Sequence, residues 1–133
     1  MSEKIYDLVI KNIKVIKPLS DQVDLQDIGI KDGKLSAIEN NIDPLQSKET
    51  YDGNGKLAFP GLVDAHMHTG IYNPLDKDAV IESRAAAMGG VTSSLNYMRT
   101  GGYYLNKGGP YREFMPEVFD LSENNFYVDY AYH

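Results

Sequence analysis

Apolar and polar positions alternate from the start of the chain. In residues 5–16 (IYDLVIKNIKVI), Leu8 and Ile10 share one parity and Ile13 and Val15 share the other, with the switch at Lys11-Asn12. A period of two marks a half-buried strand, and the switch predicts two short strands joined by a tight turn. Residues 28–38 (IGIKDGKLSAI) repeat the pattern around Asp32-Gly33. That dipeptide between alternating runs predicts a hairpin, because a type I′ turn needs positive φ at both central positions. Residues 50–56 (TYDGNGK) form another turn cluster. Residues 2–57 are therefore expected to make several small antiparallel strands, a partial sheet with too little apolar surface for its own core.

The pattern changes at Pro60-Gly61, where strands and helices begin to alternate. Leu62–His68 reads as a strand. Asp76–Met88 reads as a helix: Asp76 or Asp78 can cap it, Val80, Ile81, Arg84, Ala85 and Met88 follow helical spacing, and Gly89-Gly90 stops it. Val91–Met98 is the next strand, Tyr111–Phe119 a short helix containing Pro116, and Phe126–His133 a third strand. The strands start about 30 residues apart, the size of a βαβ unit. Three parallel strands with crossover helices are the expected result, the first part of a larger α/β sheet or barrel.

Composition narrows the class. At ~100–200 residues per domain, 133 residues make at most one domain. Hydrophobic residues at 42% and charged residues at 24% weigh against disorder. No apolar run approaches the ~20 residues that cross a bilayer, so no membrane role is expected. The N-terminal stretch lacks the apolar core and small-residue cleavage site of a signal peptide. The absence of cysteine excludes a disulfide framework and thiolate metal sites. Together these features point to the cytoplasm. With 13 basic and 19 acidic residues the net charge is −6, which disfavours nucleic acid as a partner. The chain stops at Val128–His133, inside an expected strand, with no polar tail or turn, so it reads as part of a longer protein.

The sharpest local feature is Val63-Asp64-Ala65-His66-Met67-His68-Thr69. On a strand, Val63, Ala65 and Met67 face one way, toward covering helices, and Asp64, His66 and His68 the other. Two imidazoles at i and i+2 on one face suit a shared divalent ion. The plain alternative is a pair of polar strand-end residues without a metal. Two of the chain's three histidines sit in this tripeptide, at the C-terminal end of an expected strand. That end is where α/β barrels place their chemistry.

The segment Phe59–His68 (FPGLVDAHMH) resembles the opening barrel strand of the amidohydrolase superfamily. Residues 6–12 (YDLVIKN), 27–35 (DIGIKDGKL) and 52–56 (DGNGK) are similar to the small β domain that precedes that barrel. Residues 82–93 (ESRAAAMGGVTS) resemble a helix-to-strand passage of the cyclic amidohydrolases, and residues 128–133 (VDYAYH) a third-strand segment of hydantoinases and dihydropyrimidinases. The resemblance implies an α/β fold, the first part of a (β/α)8 TIM-type barrel (residues 59–133) preceded by strands of a small β-sandwich domain (residues 1–58). It implies a two-metal centre, usually zinc, in which His66 and His68 bind the more buried ion. It further implies attack by a metal-activated hydroxide on a ring amide carbon, a small cyclic amide or imide as substrate, and a homo-oligomer, a tetramer in this family. The family's other ligands, a carboxylated lysine, two histidines and an aspartate, lie on later strands, so no catalytic residue is assigned within this chain. Lys77 and Lys107 are not at strand ends and are not nominated as the bridging lysine.

One departure is informative. Dihydroorotases place an arginine two residues after the second histidine to hold the substrate carboxylate. Here that position is Gly70, and neither it nor Thr69 makes a bidentate carboxylate contact. The matching histidine of the family, here His133, is a hydrogen-bonding residue rather than a ligand. Asp64 is expected about one layer (~6.6 Å) below His66 as a structural carboxylate. Tyr72 fits a substrate loop or an ordinary surface position, and Asn96 a polar pocket near the end of the second barrel strand. Seven of ten tyrosines lie from Tyr97 onward, which fits a substrate wall, subunit packing or core. A superfamily deaminase and a non-catalytic scaffold are the competing functions. Later ligands distinguish them.

Overall fold

The computed structural model describes residues 4–98 and 109–133. They form two compact units, residues 1–60 and 61–133.

The first unit is a sheet built on one long strand. β1 (Tyr6–Ile16) pairs antiparallel with β2 (Val23–Lys31), and β2 pairs antiparallel with β3 (Lys34–Glu39). β4 (Ser47–Asp52) and the two-residue β5 (Leu57–Ala58) both run parallel to β1. The all-antiparallel expectation is thus corrected. After the β1–β2–β3 meander the chain again runs in the direction of β1. The connection through the 3-10 turn Pro44–Gln46 then returns across the sheet, so β4 enters beside β1 in the same direction. The hairpin at Asp32-Gly33 is present, with φ of 50° and 69°, the left-handed pair that a type I′ turn requires.

The parity switch in residues 5–16 has a different cause from the one expected. There is no turn at Lys11-Asn12. β1 is continuous, and its register against β2 jumps from Ile10↔Ile28 to Ile13↔Gln26. Three steps on β1 match two on β2, so one extra residue is accommodated as a bulge, with Asn12 at φ 53°. The bulge moves Ile13 and Val15 onto the face where Ile28 packs, beside Ile10, Ile30, Ile38 and Ala58. It also turns Lys11 toward Asp27. The Lys11 ammonium donates to Asp27 Oδ2 (2.5 Å) and to the Ile42 carbonyl (2.7 Å), and Asp27 accepts the backbone N–H of Ile42 and Asn12. Ile42, 2% exposed, is thereby pinned at the crossover.

The second unit alternates strand and helix: β6 (Leu62–Met67), α1 (Leu75–Met88), β7 (Val91–Asn96), α2 (Tyr111–Ser122) and β8 (Asp129–Tyr132). The strands are parallel in the order β6-β7-β8, as expected for successive β/α units. Leu75, Met98, Phe114 and Val118 form the core, with Ile71, Met115, Leu121 and Tyr132 packed against it. α1 ends where Gly89 and Gly90 take over, Gly90 at φ 91°. Its start differs from expectation: Pro74 is the N-cap residue and no side chain caps the first turn. α2 runs three residues further than expected, to Ser122, whose hydroxyl bonds the Val118 carbonyl and the Tyr132 hydroxyl. Pro116 is tolerated on its exposed side. β8 is shorter than the expected Phe126–His133, because the chain turns through Asn124 (φ 61°) and pairs with β7 only from Asp129. No helix of the described residues is long and apolar enough to cross a membrane.

Candidate metal-binding site

The C-terminal ends of β6, β7 and β8 lie side by side and carry His66 and His68, Tyr97, and His133. The imidazoles of His66 and His68 converge, with Nε2 to Nε2 at 3.1 Å. Two nitrogens bound to one tetrahedral zinc at ~2.0–2.1 Å stand about 3.3 Å apart, so the pair fits one shared divalent ion. His68 Nδ1 lies 3.2 Å from the Tyr97 carbonyl oxygen. A carbonyl only accepts, so Nδ1 carries the proton and Nε2 presents a bare lone pair, as a metal ligand must. Among the described residues no three His, Asp or Glu side chains assemble as a ligand cluster.

The strand does not alternate as the sequence predicts. β6 pairs with β7 at Val63↔Ser93 and Asp64↔Ser94, then at Met67↔Asn96, so a residue is inserted between Asp64 and Met67. Residues opposite one another in a ladder share a side. Ser94 and Asn96 are buried, and Asn96 pairs with Tyr132, which packs on the helix-side core. Asp64 and Met67 are therefore both on the helix side. Val63 faces away, 66% exposed, and Asp64 does not share a side with the imidazoles. Its carboxylate instead accepts the His66 backbone N–H at 3.1 Å, within the bulge. The irregularity presents His66 and His68 together at the strand end.

The two remaining expected site residues sit differently. Tyr72 is 92% exposed in the connection after β6. Asn96 is fully buried: its Oδ1 accepts from Thr69 Oγ1 (2.6 Å) and its amide donates to Ser94 Oγ (3.3 Å). It braces the residue after His68 against β7. Asp78, expected as a possible cap, is 7% exposed and accepts the Gly70 N–H (2.7 Å) and the Asn73 amide (3.0 Å). Tyr97 was not singled out by the sequence. Its ring stacks on His66 (5.3 Å, 14°), meets His68 edge-on (5.5 Å, 85°) and lies 5.8 Å from the His133 ring. Its position one residue past the end of β7 was the available signal. Lys77 lies in the first turn of α1, and Lys107 lies outside the described residues. A cavity of about 450 Å³ opens beside the site, lined by Tyr97, Met98, Tyr111, Met115, Tyr132 and His133.

No family model matches the chain. A D-hydantoinase from Rhizobium radiobacter is 30% identical over 130 residues, which is 96% of this chain and 26% of that protein. An allantoinase from Escherichia coli O1:K1 is 36% identical over 91 residues, 68% of this chain and 19% of the relative. The structure of an L-hydantoinase (dihydropyrimidinase) from Arthrobacter aurescens matches with a TM-score of 0.72 at 27% identity, covering 96% of this chain and 27% of that one. The chain thus spans about a quarter or less of the length of these relatives. These likenesses place it in the amidohydrolase superfamily. Within that superfamily it is a cyclic amidohydrolase sequence of the hydantoinase, dihydropyrimidinase and allantoinase type, covering their N-terminal part. The relationship implies the use of divalent metal.

Proposed function

We propose that the protein hydrolyses a C–N bond of a cyclic amide or imide, in a hydantoinase- or dihydropyrimidinase-type reaction. The observation that carries the reading is the convergence of His66 Nε2 and His68 Nε2 at 3.1 Å, at the C-terminal ends of parallel strands. In this reading residues 1–58 contribute strands to a small β-sandwich domain and residues 59–133 open a (β/α)8 barrel. Later strands complete a two-metal centre, zinc in the first instance, in a cytoplasmic homo-oligomer. When bound, such ions polarise the ring carbonyl and make water nucleophilic near neutral pH.

The residues of this chain hold and orient. His66 and His68 supply neutral Nε2 donors, and the Tyr97 carbonyl fixes the tautomer of His68. Thr69 and Gly70, tied to Asn96 and Asp78, hold the chain that follows His68. The cavity of tyrosine and methionine suits a neutral ring, and no described lining residue is a lysine or arginine. Gly70 has φ 83°, and a Cβ there would lie 2.9 Å from Leu75 Cβ, so the position has no room for an anchoring arginine. The test is turnover of hydantoins, dihydrouracil and allantoin by the metal-loaded protein, followed by chelation and zinc add-back. Turnover lost on chelation and restored by zinc is expected. Absence of ring opening on every substrate would refute the reading.

A further inference from the structure

We propose that Tyr97 is the positioning residue that holds the His66 and His68 imidazoles in their converging arrangement and favours the cation-loaded site over the empty one. The inference rests on the reading of His66 and His68 as ligands of a divalent ion.

Both imidazoles are exposed, so neither is held by burial. An exposed side chain keeps several rotamers, and confining it costs entropy. With the proton of His68 on Nδ1, its Nε2 can accept from His66 Nε2–H at 3.1 Å, which links the rings in the empty site. A cation that takes both Nε2 lone pairs displaces that bond, and Tyr97 makes the contacts that still hold the two rings together. Its face covers His66 at 5.3 Å and 14°, it meets His68 edge-on at 5.5 Å, and its carbonyl accepts from His68 Nδ1. Ring pairs at these separations and angles are favourable beyond the area they bury.

Tyr97 is itself fixed. Its N–H donates to the Met67 carbonyl at 2.7 Å, continuing the β6–β7 ladder between the two histidines. Its neighbours Asn96 and Met98 are 0% and 1% exposed, so its backbone has little freedom. The electron-rich phenol face also discriminates between site states. An imidazole whose Nε2 holds a cation is more electropositive, and an aromatic face attracts it more strongly. The stack should therefore tighten when the site is loaded. The aromatic face does this work, not the hydroxyl, so phenylalanine should substitute and an aliphatic side chain should not.

The test measures the zinc dissociation constant of the complete protein by chelator competition, together with the thermal unfolding of the metal-free protein. Tyr97→Phe should bind zinc within about twofold of the unaltered protein. Tyr97→Leu should bind it about 10-fold or more weakly, the usual size of an effect from a residue that orients a ligand, while the metal-free protein still unfolds in one cooperative transition. Tyr97→Met serves the same purpose if the leucine variant does not fold. Unchanged zinc affinity in the aliphatic variants would overturn the inference, as would a phenylalanine variant as weak as leucine. Zinc binding in the unaltered protein with no loss in these variants overturns the role of Tyr97 alone. A protein that takes up no zinc overturns the ligand reading as well.

Discussion

Gly70 donates its backbone N–H to the buried carboxylate of Asp78 at 2.7 Å, two residues past His68. The bond ties the exit of the strand that carries His66 and His68 to the first turn of α1. Replacing Asp78 by alanine leaves that buried N–H without a partner. Hydrogen bonds to charged groups are worth about 1.5–3 kcal/mol, so a loss of that size is expected in urea unfolding. Asp78→Asn keeps an acceptor oxygen and should lose less. Equal stability of Asp78→Ala and the unaltered protein would show that the loop is held by other contacts.

Replacing both His66 and His68 by alanine in the complete protein should remove roughly half of the bound metal and nearly all hydrolysis. The expectation follows from a pair that fits one ion of a two-ion centre. Elemental analysis is the check. Metal content equal to that of the unaltered protein would rule the two imidazoles out as ligands.

The protein should open hydantoins, dihydrouracil or allantoin in preference to dihydroorotate. Gly70 occupies the position of the expected anchoring arginine, and Leu75 fills the space its side chain would need. For the same reason Gly70→Arg should not confer dihydroorotate turnover; it should destabilise the loop, since φ 83° is costly for any residue with a Cβ. Dihydroorotate as the preferred substrate in a side-by-side rate comparison would show that another group holds the carboxylate.

Much of this was legible in the sequence because it depends on local rules. Asp32-Gly33 reports its turn, Gly89-Gly90 reports the end of α1, and the spacing of strands from Leu62 onward reports the parallel sheet. What escaped depends on pairing between distant segments. The parity change at Lys11-Asn12 looks the same in sequence whether a turn or a bulge causes it, and only the register against β2 decides. The insertion between Asp64 and Met67 is set by β7 in the same way, so the side assigned to Asp64 and Val63 was reversed. Tyr97 and Asn96 are adjacent in sequence, yet one meets the imidazoles and the other is wholly buried. That difference arises where β7 ends, and strand ends are the least certain feature of a sequence pattern.

The bulge in β1 carries a pH dependence. It brings Lys11 onto Asp27, with side chains 15% and 4% exposed. Burial pushes the Asp27 carboxyl up. The Lys11 ammonium and the N–H groups of Ile42 and Asn12 pull it down further, so it titrates below its ordinary 3.8. A carboxyl with a depressed folded value stabilises the fold at pH above the unfolded value, and that stability is lost as pH falls through the folded one. Asp7 and Asp52 are also lowered, by Lys48 with the Asp32 N–H and by the Asn54 N–H with the Asn12 amide, but both are at the surface. Comparison with Asp27→Asn isolates the buried pair. The stability difference between the two proteins should be constant above about pH 5 and shrink below about pH 4. Lys11→Ala should be more damaging than Asp27→Asn near neutral pH, because it removes the counter-charge of a buried carboxylate and leaves it only the Ile42 and Asn12 N–H groups. Its penalty should fall on acidification, as Asp27 takes up a proton. Urea midpoints from pH 3 to pH 7 test both. Parallel curves for Asp27→Asn and the unaltered protein over that range would mean that the Asp27 carboxyl titrates alike in the folded and unfolded chains, and that Lys11 does not stabilise its charged form.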